Sequence, residues 1–125
     1  MSEPQINVSV KTHFLENESL PDKNRFVYSY TITISNNGER SAQLLSRHWI
    51  ITSGESLKSQ EVQGDGVIGQ QPSIAPGESF TYTSGSVMDS EVGTMQGSYT
   101  MLDANGDNFD VPIAPFTLAT PNQLN

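Results

Sequence analysis

The strongest constraint on this chain lies between Arg25 and Asn36, where Phe26, Tyr28, Tyr30, Ile32 and Ile34 face one way and Ser29, Thr31, Thr33 and Ser35 the other. Successive side chains of a strand point to opposite faces, so this spacing gathers the large apolar groups on one face and the hydroxyls on the other. A helix would scatter the same residues around its circumference. Ile6, Val8 and Val10 repeat the pattern ahead of Phe14, as do Phe80 and Tyr82 between Thr81 and Thr83. Met95, Gly97, Tyr99 and Met101 share one face of a further strand, and Phe109, Val111 and Ile113 form its return partner. Helical spacing is hard to find anywhere.

The connections fit a chain of strands. Glu16 to Asn24 is polar, contains Pro21 and is too long for a tight hairpin, whereas Asn36-Asn37-Gly38-Glu39 and Asp103-Ala104-Asn105-Gly106 read as turns. The run from about Ser41 places Leu45, Trp49 and Ile51 on one face with Arg47 among them, and His48 on the opposite face. Gly54 breaks that run, and Leu57 to Val62 is expected to be a short edge strand. Gly64 to Gly77, with four glycines and two prolines, reads as a structured loop, and Ser84 to Gly93 as a connection. Pro112 and Pro115 cannot donate to a ladder, which requires an edge or a bulge in the last strand.

About seven short strands with a tryptophan in the third favour an all-β fold, an immunoglobulin-like or fibronectin type III-like two-sheet antiparallel sandwich, with a closed barrel as the rival. A length of 125 residues suits one domain spanning 1–125, with 1–5 and 119–125 frayed. Cysteine is absent, which removes disulfides, thiolate metal sites and thiol nucleophiles. The opening Met1-Ser2-Glu3-Pro4-Gln5 has neither the basic start nor the apolar run of a signal peptide, and no stretch approaches the roughly 20 apolar residues of a membrane helix. A cytoplasmic location with no membrane association is the expectation.

Charge is unevenly placed. The chain carries a net −8, and Lys58 is its last basic residue; Glu61, Asp65, Glu78, Asp89, Glu91, Asp103, Asp107 and Asp110 follow it unopposed. Nucleic-acid affinity comes largely from Lys and Arg neutralising phosphates, so no nucleic-acid partner is expected.

Gly64-Asp65-Gly66-Val67-Ile68-Gly69 satisfies the G-x-G-x-x-G pattern of dinucleotide sites. That chemistry needs a helix starting at the loop, whose N-terminal amides hold the pyrophosphate. Gln70-Gln71-Pro72-Ser73-Ile74-Ala75-Pro76-Gly77 forbids one, and Asp65 and Glu61 repel phosphate. Long irregular loops in small domains are often binding elements, so Gly64, Asp65, Gly66, Val67, Ile68, Gly69, Gln70, Gln71 and Pro72 form the candidate partner-binding site, with Val67 and Ile68 displayed at its tip. The bland alternative is that these glycines only let the backbone turn.

Asp103 to Asp107 begins like a calcium loop, but Asn108 and Ala114 stand where an EF-hand needs Gly and Glu. It reads as a hairpin turn, with Asp103, Asp107 and Asp110 forming at most a weak, accidental cation site. His13 and His48 lack ligand spacing, and no Gly-x-Ser-x-Gly elbow is present. No metal site, cofactor or catalytic residue is assigned.

The chain resembles the bacterial ApaG family over nearly its whole length. The likeness is carried by Arg25-Phe26-Val27-Tyr28-Ser29-Tyr30-Thr31-Ile32-Thr33-Ile34, by Gln43 to Thr52, by Glu61 to Gly69, and by Ile74-Ala75-Pro76-Gly77 and Gly93 to Tyr99. The resemblance implies the same sandwich, a loose and indirect link to cobalt and magnesium tolerance, and protein binding, since similar domains occur in eukaryotic F-box and polymerase-interacting proteins. It implies no catalytic residues. The functional expectation is a non-enzymatic protein-interaction module working through residues 64–72, a sheet edge, or both. A small-ligand or divalent-cation sensor is the alternative, and a phosphate hydrolase ranks third because cationic groups are scarce. Sandwich edges often self-associate, which keeps a homodimer in view.

Overall fold

The computed structural model describes residues 5–54 and 58–121. The alternation of Arg25 to Asn36 becomes a strand, Phe26–Asn36 (β2), in which every second side chain from Phe26 is buried. Around it the chain forms β1 (Ile6–Phe14), β3 (Ala42–Ser53), β4 (Ser59–Asp65), β5 (Ser73–Ile74), β6 (Ser79–Met88), β7 (Val92–Asp103) and β8 (Asn108–Ala119). One sheet has the order β1-β2-β6, the other β4-β3-β7-β8 with β5 added beside β3, and every pairing is antiparallel. The two sheets make a β-sandwich, and their separation excludes the closed barrel. Glu16 to Asn24 contains two single-turn 3-10 segments, Glu16–Glu18 and Pro21–Lys23.

The core lies between the sheets. Tyr28, Ile32 and Ile34 from one sheet meet Leu44, Trp49, Met95, Tyr99, Met101 and Leu118 from the other. Trp49 is 3% exposed and takes edge-on contacts with Tyr99 (6.2 Å, 82°) and Phe116 (5.9 Å, 88°). Each such aromatic pair adds about 1 kcal/mol beyond area burial. The outer face of β2 and β6 instead carries hydroxyl pairs: Thr31 with Thr83 at 2.8 Å, Thr33 with Thr81 at 3.0 Å and Ser35 with Ser79 at 2.8 Å.

Four details differ from the sequence reading. A bulge between Leu44 and Ser46 inserts one residue into β3, so Leu44 rather than Leu45 is buried on the face of Trp49. β6 continues to Met88 along an unbroken register with β2, so Ser84 to Met88 belongs to a strand and only Asp89 to Glu91 connects it to β7. The edge strand expected over 57–62 runs Ser59–Asp65, and Leu57 lies outside the described residues. Ala119 pairs with Val92 and the Thr120 N–H reaches the Glu91 carbonyl at 3.1 Å, so backbone pairing holds residues 119 and 120 where fraying was expected.

The prolines fall as their chemistry requires. β8 is an edge strand, and its register slips between Met95–Phe116 and Gly97–Ile113, a bulge on the segment containing Pro115. The turn after β2 is held by the Asn36 side chain, which accepts from the Gly38 N–H (2.9 Å) and donates to the Arg40 and Ile74 carbonyls (2.8 Å each).

Candidate functional site

The glycine-rich stretch is a small hairpin projecting from the end of β4. The Val67 N–H donates to the Gln70 carbonyl and the Gln70 N–H to the Val67 carbonyl, both at 2.9 Å. Ile68 and Gly69 lie between them with φ of 44° and 78°. Positive φ at both central residues is the mark of a type I′ turn, which ordinarily selects Asn, Asp or Gly. A β-branched residue at the first of these positions is a backbone outlier that costs on the order of 1–2 kcal/mol.

The strained residue is also the displayed one. Ile68 is 53% exposed, whereas Val67 is 1% exposed and part of the core. The expectation that both stand at the tip is therefore corrected: the turn is centred on Ile68 and Gly69, and Val67 before it anchors what Ile68 presents.

Several bonds fix this hairpin to β3. The Leu45 carbonyl, at the bulge, accepts the Gly66 N–H (2.8 Å) and the Gln71 side-chain amide (2.9 Å). The Leu44 N–H donates to the Pro72 carbonyl (2.9 Å), and the Gln43 side-chain amide to the Gln71 carbonyl (3.1 Å). Arg47 Nη1 donates to the carbonyls of Asp65 (3.0 Å) and Gly66 (2.9 Å). A Cβ on Gly64 would stand 2.9 Å from Nη1 and Nη2 of Arg47, so any other residue there would push the guanidinium from its place against the strand.

These bonds also decide the dinucleotide question. The N–H groups of Gly66, Val67 and Gln70 are spent on protein carbonyls, and a two-residue strand, β5, follows where a phosphate-binding helix would have to begin.

Beneath the hairpin, on the open flank between β4 and β6, lies a recess of about 310 Å³ bordered by Tyr30, Arg47, Trp49, Asp65, Ile68 and Tyr82, among others. The Tyr82 hydroxyl is hydrogen-bonded to that of Tyr99 across the two sheets. Burial raises both phenols, Tyr82 to about 12 with the Tyr99 hydrogen bond partly opposing, and Tyr99 further still. Both therefore remain protonated at neutral pH.

The other candidates separate. The Asp103 carboxylate accepts the N–H groups of Asn105 (2.8 Å) and Asp107 (3.0 Å), which is hairpin-turn chemistry, while Asp110 accepts from Thr100 at 3.1 Å. Among the described residues no three His, Cys, Asp or Glu side chains form a group able to hold a metal ion. His13 and His48 lie on different sheets; His48 contacts Glu61 at 2.5 Å on the outer face of β3 and β4.

The ApaG domain model matches residues 16–103, which includes the hairpin and the strands that hold it. The chain belongs to the ApaG family. Protein ApaG of Ectopseudomonas mendocina is 59% identical over 99% of both chains, and Protein ApaG of Pseudomonas putida is 56% identical over 99% of both. Among solved structures, a Bordetella pertussis protein named ApaA superposes with a TM-score of 0.92 at 47% identity, covering 94% of this chain and 95% of its own. The hairpin thus lies inside the ApaG domain itself. Sequence reasoning marked its glycines but missed Arg47, whose inward position followed from the alternation with Trp49 and whose carbonyl partners did not.

Proposed function

We propose that this ApaG-family domain is a non-enzymatic protein-interaction module of immunoglobulin-like or fibronectin type III-like build, acting in the cytoplasm through the hairpin Gly64–Pro72. The strand order β1-β2-β6 against β4-β3-β7-β8 supports the build. One observation carries the function: Ile68 is held exposed at positive φ in a hairpin tied to the core. Strain of this kind persists where the surroundings over-determine it, and it concentrates at binding sites. A rigid apolar tip meets a partner with little ordering cost. Any link to cobalt or magnesium tolerance runs through such a partner.

The substitution Ile68→Asn tests this directly, because asparagine accepts positive φ and removes the apolar side chain. The expected result is a domain at least as stable as wild type that loses the partners wild type captures. Unchanged capture by the stable variant would sink the assignment to the hairpin.

The recess beside Tyr30 and Tyr82 favours a second reading, a small-ligand sensor. Thermal-shift titration with divalent cations and nucleotides checks it: a dose-dependent rise in Tm supports a native-state ligand, and a flat response removes the reading.

A further inference from the structure

The sandwich guards its strand edges unequally. β1 carries Lys11 and His13, β4 carries Glu61 and Asp65, and β8 carries Pro112, Pro115 and a bulge. Charges, prolines and bulges are the devices by which exposed edges resist pairing with another chain. β6 has none of them: from Ser79 to Met88 there is no Lys, Arg, His, Asp, Glu or Pro, and its register with β2 is continuous. Among the described residues it is bonded to β2 alone and forms the outer strand of its sheet. Ser79, Thr81, Thr83, Gly85 and Val87 are exposed on its outer face. Two recesses lie along its flank, the one lined by Tyr82 and Ser84 and another of about 340 Å³ lined by Val87 and Met88.

We infer that β6 is a docking edge for an extended peptide segment bearing Lys or Arg at its ends, which adds as a further strand to the β1-β2-β6 sheet. This rests on the interaction-module reading and deepens it by naming the edge and the chemistry of the partner. Backbone pairing supplies affinity in such a complex, and side chains at alternate positions enter whatever pockets lie beside the edge. Here Tyr82 and Ser84 border the first recess and Val87 and Met88 the second, with the exposed Ile68 on the far wall of the first.

Charge selects the partner. Glu78 and Asp89 stand immediately before and after β6, and Asp65 borders the first recess. β4, the hairpin and β6 all fall in the part of the chain after Lys58 that has no basic residue. The cations near the flank are Arg47, turned to the Asp65 and Gly66 carbonyls, and Lys58 beside the second recess. A second copy of the chain pairing through β6 in antiparallel fashion would bring Glu78 of each towards Asp89 of the other, which disfavours it. A basic-ended segment meets Glu78 at one end of β6 and Asp89, which shares its recess with Lys58, at the other, without that mutual repulsion of carboxylates.

The probe is an amidated peptide of alternating valine and threonine flanked by two lysines at each end, titrated into isotope-labelled protein and followed by amide NMR. Shifts concentrated in Ser79 to Met88 are expected, with affinity at least about tenfold weaker when glutamates replace the lysines and weakening further as salt rises. Thr83→Lys, which installs the missing guard on the solvent face, is expected to abolish binding while the amide spectrum of β3, β7 and β8 stays in place. Shifts elsewhere, equal binding of the glutamate peptide, or undiminished binding by Thr83→Lys would overturn the proposal. So would sedimentation of the free protein as a dimer with β6 amides protected from exchange. If Ile68→Asn loses captured partners while the lysine peptide leaves β6 untouched, the edge assignment alone falls; if neither responds, both readings fall.

Discussion

Ile68 and Val67 are adjacent apolar residues with opposite duties. Val67 is buried at 1% exposure, and an aspartate there places an unpaired carboxylate in the core; Val67→Asp is expected to cost at least about 3 kcal/mol and to melt the domain early in a urea titration. Ile68→Asn works in the other direction. Relieving a β-branched residue at φ 44° is expected to raise stability by about 1 kcal/mol, read as a higher urea midpoint at unchanged m-value. Nothing in the sequence separates the two residues, because both are β-branched aliphatics within a glycine-rich stretch. Their roles follow from where the I′ turn falls, and that depends on the Val67–Gln70 bonds and on the Leu45 carbonyl, which belongs to another strand.

The hairpin as an element is held by β3. Arg47 Nη1 is the donor for two carbonyls at its base, and replacing it with methionine leaves both without that partner. Arg47→Met is expected to destabilise by about 1–3 kcal/mol and to speed amide exchange at Gly66, Val67 and Gln70 well before the core strands respond. The strands themselves were readable in the sequence wherever alternation was clean, as in β2, whose burial follows its pattern residue by residue. Legibility failed at β3 because a bulge reverses the alternation at Leu45, and at the end of β6 because Ser84 to Ser86 has no large apolar residue to show its period. In both places cross-strand pairing to an already established neighbour decides the outcome, and no local propensity encodes that.

At the scale of the whole molecule the sheets are joined through buried rings, including the hydroxyl pair of Tyr82 and Tyr99. Tyr28, whose hydroxyl donates to the Glu91 carbonyl at 2.9 Å, is likewise raised to about 12 by burial and by the Glu91 charge. These phenols ionise near 10 when unfolded and higher when folded. Their contribution is therefore complete below pH 10 and is lost as pH rises from 10 towards 12. Urea midpoints are expected to hold between pH 8 and about 9.5 and to fall steeply beyond it, with Tyr82→Phe flattening the fall.

Trp49 gives the molecule an optical property of its own. It is the single tryptophan, 3% exposed, ringed by Tyr30, Tyr99 and Phe116, and it borders the recess under the hairpin. Its fluorescence is a built-in, label-free indicator: blue-shifted emission accompanies the folded state, and quenching or a spectral change without unfolding signals an occupant arriving on that flank.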